Sequence, residues 1–150
     1  MTHTLSYDQA KELVRYCHET GCLFFKTDYR GFKAGDRACR LRHDGRYRVC
    51  NLHGASYLAH RLVFFLFWGR WPRDEIDHKD RDGLNNRLRN LRECTRQQNQ
   101  ANRPGKGYGR YRDKWRAKGA GRYLGLFRTA REAREAYLAA RRERYGEFAL

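Results

Sequence analysis

One polar stretch gathers most of the side chains capable of chemistry. It reads Ile76-Asp77-His78-Lys79-Asp80-Arg81-Asp82-Gly83-Leu84-Asn85-Asn86-Arg87-Leu88-Arg89-Asn90-Leu91, followed by Glu93-Cys94-Thr95-Arg96-Gln97-Gln98-Asn99. Hydrolysis of a phosphodiester requires a base to deprotonate water, a cation to neutralise the phosphorane and the leaving oxygen, and groups that hold both in line. Imidazole exchanges protons near neutrality, which makes His78 the candidate base. The carboxylate of Asp77 and the amide oxygen of Asn99 are hard donors. With water and phosphate completing the shell they suit Mg²⁺ or Mn²⁺ rather than zinc. Neighbours on a regular strand point to opposite faces, so Asp77 and His78 can serve one site only where the strand ends or bends. Asp82-Gly83 supplies a turn nearby.

The elements that must position these groups are legible in outline. Residues 88–95 read as a second strand and 96–102 as the first turns of a helix, completing a strand, loop, strand and helix unit. Upstream, Ala10, Leu13, Val14 and Cys17 recur at helical spacing and predict an amphipathic helix over 6–19, ended by Gly21. Residues 22–25, 38–42 and 46–52 predict a small antiparallel sheet. The last two alternate in strand fashion and flank His43-Asp44-Gly45, a hairpin signal. Residues 57–69 are apolar on nearly every side and predict a buried helix ending at Gly69. Arg103-Pro104-Gly105-Lys106-Gly107 has linker composition. Beyond it, 108–118 and 121–128 are strand-like, and 129–145 is a helix that Thr129 and Glu132 open as a capping box. The expected fold class is α+β. Residues 1–102 form one domain, 103–107 a linker, and 108–150 a small sheet with a helix laid across it.

Composition narrows the partner. Among 150 residues there are 33 Lys plus Arg against 17 Asp plus Glu, a formal charge of +16 and a pI of about 10.2. A polyanion is the expected partner. Aromatic content of 14% is too high for a disordered basic tail. The longest apolar run, residues 62–68, is far shorter than the ~18 residues a membrane span needs, and the polar start carries no signal-peptide pattern. A soluble chain of a cytoplasm, with no membrane partner, is expected. The five cysteines, Cys17, Cys22, Cys39, Cys50 and Cys94, contain no C-x-x-C pair, so reduced thiols are expected in preference to structural zinc or a disulfide framework.

Asp-His ahead of an Asp-rich loop, Asn-Asn-Arg, Asn-Leu-Arg and a helical Asn resembles the HNH homing-type endonucleases of phages and their introns, built on a ββα-metal finger. The resemblance extends upstream through Ala59-His60-Arg61-Leu62 and Trp68-Gly69-Arg70-Trp71-Pro72, and so spans roughly residues 20–102. It implies that His78 is the general base and that Asp77 and Asn99 bind one divalent metal. Asn90 would brace the loop and orient the histidine, and Asn86 would support the same turn. His60 would be structural or phosphate-contacting. Products with 3′-hydroxyl and 5′-phosphate ends are also implied.

A second resemblance covers 108–149, on Tyr108-Gly109-Arg110-Tyr111-Arg112, Lys114-Trp115-Arg116-Ala117, Tyr123-Leu124-Gly125-Leu126-Phe127 and Thr129-Ala130-Arg131-Glu132-Ala133. These look like the ethylene-response-factor type of DNA-binding domain, whose sheet enters the major groove. Arg110, Arg112, Trp115, Arg116, Lys118 and Arg122 would then face double-stranded DNA, with a shortened hairpin between Lys118 and Arg122.

Three functions stay open from the residues: a metal-dependent DNA endonuclease that nicks or cuts both strands, a DNA-binding protein on a nuclease-like fold that does not cleave, and an RNA-binding protein. Monomer and homodimer are equally open. Removing 104–150 is expected to weaken DNA binding while leaving slow nicking, because the candidate constellation lies upstream of that segment.

Overall fold

Ser6 opens the first element, α1 (Tyr7–Leu13), through a capping box in which its hydroxyl accepts from Gln9 N and the Gln9 side chain accepts from Ser6 N. In the computed structural model, which describes residues 5–103 and 105–149, this helix is shorter than the apolar spacing predicts. Residues 1–4 of the polar start, Pro104 of the expected linker and Leu150 lie outside the described residues. The chain leaves the helix at Val14 and forms β1 (Val14–Tyr16), which pairs antiparallel with β2 (Leu23–Phe25). Val14 is buried either way, so its place in the apolar pattern cannot separate helix from strand. The register Val14↔Phe25 and Tyr16↔Leu23 decides it, by giving β-branched and aromatic side chains cross-strand partners.

The chain divides into two compact units, Met1–Cys94 and Thr95–Leu150, and both mix α and β. In the first, β3 (Cys39–Leu41), β4 (Arg48–Leu52) and β5 (Ala55–Leu58) form an antiparallel sheet in the order β3-β4-β5. The hairpin predicted at His43-Asp44-Gly45 joins its first two strands, with Gly45 N donating to Arg42 O. β5 takes the two residues with which the predicted buried helix was to begin; that helix is α2 (Ala59–Trp68). Leu62 and Val63 on α2, Leu52 on β4 and Phe25 on β2 are almost wholly inaccessible to solvent. Truncating one of these large side chains to Ala costs about 2–5 kcal/mol in such a setting.

The expectation of reduced thiols is corrected at one pair. Cys39 and Cys50 stand directly opposite each other on β3 and β4 and are joined as a disulfide. Opposed positions on antiparallel strands bring Cβ atoms within bonding reach, a proximity that depends on register and leaves no mark in cysteine spacing. Cys17, Cys22 and Cys94 remain thiols.

The last strands of the first unit are β6 (Glu75–His78) and β7 (Leu91–Cys94), paired antiparallel with Asp77↔Arg92 and His78↔Leu91. A single 3₁₀ turn, Leu88–Asn90, precedes β7, so the second strand is shorter than predicted.

The second unit opens with α3 (Arg96–Ala101), capped by Thr95 and Gln98 in a reciprocal box. Next come β8 (Tyr108–Tyr111), β9 (Lys114–Gly119) and β10 (Arg122–Phe127), an antiparallel sheet in the order β10-β9-β8. Then α4 (Ala130–Tyr145) begins at the predicted Thr129 cap, with Glu132 accepting from Thr129 N. Ala133, Tyr137 and Ala140 give α4 its buried stripe. Among the described residues, no helix is long and apolar enough to cross a membrane.

Candidate active site

The β6 strand ends at His78, where a tight turn closes as Arg81 N donates to His78 O. His78 is 5% exposed, and its Nε2 lies 3.1 Å from Oδ1 of Asn86. An amide oxygen only accepts, so in this contact Nε2 is the donor.

The loop between the strands is held by its own polar side chains. Asn90 Nδ2 donates to Asp80 Oδ1 at 2.9 Å and to Asn85 O at 2.8 Å, while Asn90 Oδ1 accepts from Asp80 N. Asn90 thus braces the loop, and it is Asn86 whose amide reaches the histidine. Burial works against ionisation of Asp80. Hydrogen bonds from Asn85, Asp82 N and Asn90, with the charge of His78, nevertheless hold its pKa below the usual carboxylate range. Gly83 packs where a Cβ would come within 2.8 Å of the Tyr47 ring, so the loop lies directly on the β3–β4 hairpin.

His60, from the first turn of α2, sets its ring edge-on against His78 with centroids 5.0 Å apart. Tyr47 flanks both rings. Burial, and then the charges of His78 and Arg61, push the His60 pKa down to about 3, so its ring is neutral at physiological pH. Its Nδ1 meets no hydrogen-bond partner among the described residues.

Asp77 turns to Arg92, the residue opposite it on β7. Arg92 Nε and Nη2 lie 2.9 and 2.8 Å from Asp77 Oδ2; Asp77 is buried and the Arg92 side chain is nearly so. A second carboxylate, Glu93, fixes the chain entering β6. Arg70 grips it in two-pronged fashion at 2.7 and 3.1 Å and Arg73 N adds a third bond, which together hold its pKa at about 2. Among the described residues no three His, Cys, Asp or Glu converge on one point.

Asn99 stands on α3 in the second unit. The end of that helix is tied to α4: the buried Arg141 guanidinium donates to Ala101 O and Arg103 O, and its Nη1 lies 2.6 Å from the Tyr137 hydroxyl.

Opposed residues on antiparallel strands share a face, which sorts the basic residues of the second unit. The register Tyr111↔Lys114, Leu126↔Arg116 and Tyr123↔Lys118 puts Arg116 and Lys118 on the open face, with Lys114, Tyr111, Tyr123 and Leu126 around them. The register Arg110↔Trp115 and Arg122↔Gly119 puts Arg110, Trp115 and Arg122 on the face of buried Ala117, toward α4. Arg110 there lies over the Trp115 ring, and Arg122 pairs with Glu143 of α4. Arg112 sits at the β8–β9 turn with φ of 56°. Tyr111, Lys114, Tyr123 and Leu126 were missed as open-face residues, although strict alternation from Arg116 would have found Lys114. Tyr16, Tyr47 and Arg92 were missed as neighbours of the site because no local pattern marks them.

Residues 57–101 match the family model of the HNH endonuclease, a likeness that supports a nuclease acting on DNA. No curated protein and no solved structure matches the chain.

Proposed function

We propose that the chain is a metal-dependent DNA endonuclease of the HNH, phage or homing type, with His78 as general base. The observation that carries this reading is the His78 Nε2 to Asn86 Oδ1 contact, inside the segment that matches the family model. It fixes the orientation of the imidazole, the group in this segment suited to take a proton from water. His60 and Tyr47 wall the ring in, and Asn90 braces the loop beside it. Asp77 and Asn99 are the residues that would hold a divalent cation. Their oxygen donors fit Mg²⁺ or Mn²⁺. When bound, that cation would neutralise charge developing on the phosphate and leaving oxygen. The open face of the β8–β10 sheet, through Arg116, Lys118 and Lys114, is proposed to hold the duplex by its phosphates and groove edges.

The test is conversion of supercoiled plasmid carrying random genomic inserts, with Mg²⁺ or EDTA, by the wild type and by His78→Ala. Metal-dependent nicking by the wild type, lost in the variant, is expected. The Asp77–Arg92 pair favours a second reading, a DNA-binding protein that does not cleave, because the guanidinium already neutralises the carboxylate. Tight duplex binding without nicking at any metal concentration would select it.

A further inference from the structure

We infer that Tyr16, on the β1–β2 hairpin and outside the segment that matches the HNH model, is a positioning residue for His78, acting through the backbone of Asn86. The inference rests on the proposed role of His78.

Three contacts from one hairpin converge on three consecutive residues. The Tyr16 hydroxyl donates to Asn86 O at 3.2 Å and accepts from Leu88 N at 3.0 Å, so a single oxygen bridges the backbone on both sides of Arg87. Arg87 Nε in turn donates to Glu19 O, in the turn of the same hairpin, at 2.7 Å. Gly21, at φ of 73°, lies so close that a Cβ there would stand 2.7 Å from Arg87 N and 2.8 Å from the carbonyl carbon of Asn86. Burial raises the Tyr16 pKa, so the hydroxyl stays protonated and available as the donor that Asn86 O needs.

The pinned segment is the one that holds the base. Asn86 is 1% exposed and its Oδ1 receives His78 Nε2. A hydrogen bond orients an imidazole only as firmly as its acceptor is itself held. The loop's own brace, Asn90 with Asp80 and Asn85, acts on the other side of Asn86. The hairpin therefore supplies the second anchor of a residue that would otherwise hinge. It reaches the site from more than sixty residues upstream, which explains why the local motif does not reveal it.

The experiment uses the full-length protein and Tyr16→Phe, which keeps the ring and deletes the hydroxyl. The ring ¹⁵N shifts of His78, read without metal at one fixed pH, are expected to show the proton on Nε2 in the wild type and a mixture of both tautomers in the variant. Plasmid nicking is expected to lose about tenfold in kcat with little change in KM. In an Asn86→Ala background, Tyr16→Phe is expected to add nothing to either readout. If Tyr16→Phe does not fold, Arg87→Lys, which cuts the strap to Glu19, carries the same expectations. An unchanged His78 tautomer, or a loss fully additive with Asn86→Ala, overturns the inference. Absence of metal-dependent nicking in the wild type would sink the nuclease reading alone, since the tautomer comparison still decides what Tyr16 does.

Discussion

Asp77 and Arg92 face each other across β6 and β7, with both Nε and Nη2 of the guanidinium within 2.9 Å of one carboxylate oxygen. The candidate metal ligand therefore rests against a protein cation that is itself nearly excluded from solvent. Removing one partner of a buried pair strands the other charge, at a cost of about 3–5 kcal/mol.

Arg92→Met should lower stability by that order in urea unfolding. If Asp77 binds a metal, millimolar Mg²⁺ will raise the Tm of Arg92→Met more than that of the wild type, because the ion replaces the lost positive charge. Equal shifts for the two proteins would show that Asp77 does not bind the ion.

His60 makes stability depend on acid. The unfolded chain takes up a proton at this position as pH falls through about 6.5, whereas the folded chain resists until about 3. The contribution is complete at neutral pH and is lost as pH falls between those two values, on the order of 5 kcal/mol across the window. His60→Phe should flatten the fall in unfolding free energy between pH 6 and pH 4. An identical slope in the variant would mean that His60 does not carry the effect.

The tie between Arg141 and the end of α3 revises the truncation expectation. Removing 104–150 deletes the guanidinium that caps Ala101 O and Arg103 O, so the helix bearing Asn99 loses its anchor. The truncated protein should lose nicking by 100-fold or more as well as DNA affinity, about the scale of losing one positioned group. Arg141→Leu in the intact chain should lower nicking while leaving much of the duplex affinity of the open sheet face. Robust nicking by the fragment would restore the original division of labour.

The two faces of the β8–β10 sheet should respond differently to substitution. Arg116→Ala and Lys118→Ala are each expected to weaken duplex binding and to reduce the salt slope by about 1, as loss of a phosphate contact does. Arg122→Ala, whose side chain engages Glu143, should change the slope little. Fluorescence anisotropy over a salt series reads this directly, and a larger effect at Arg122 would reverse the assignment of faces.

What the sequence by itself determined is what short-range chemistry dictates. Thr129 with Glu132 start α4 because a hydroxyl and a carboxylate three residues apart satisfy each other's backbone donors, whatever lies elsewhere. The turn at His43-Asp44-Gly45 and the alternation around it placed β3 and β4 for the same reason. The residue types from Asp77 to Asn99 were enough to suggest the chemistry and the family, because the loop that Asn90 braces is closed by residues within a dozen positions of one another.

The tertiary structure decided every relationship that depends on which strand lies beside which. Val14–Tyr16 is a strand because residues 23–25 are there to pair with it. Cys39 meets Cys50, Asp77 meets Arg92, and Arg110 shares a face with Trp115 through register, and a shift of one residue would have reversed each. Tyr16 reaches Asn86 across seventy positions because two distant segments pack together. Periodicity reports that a residue is buried, but not which neighbour it is buried against, and in this site the neighbours are what hold the histidine in place.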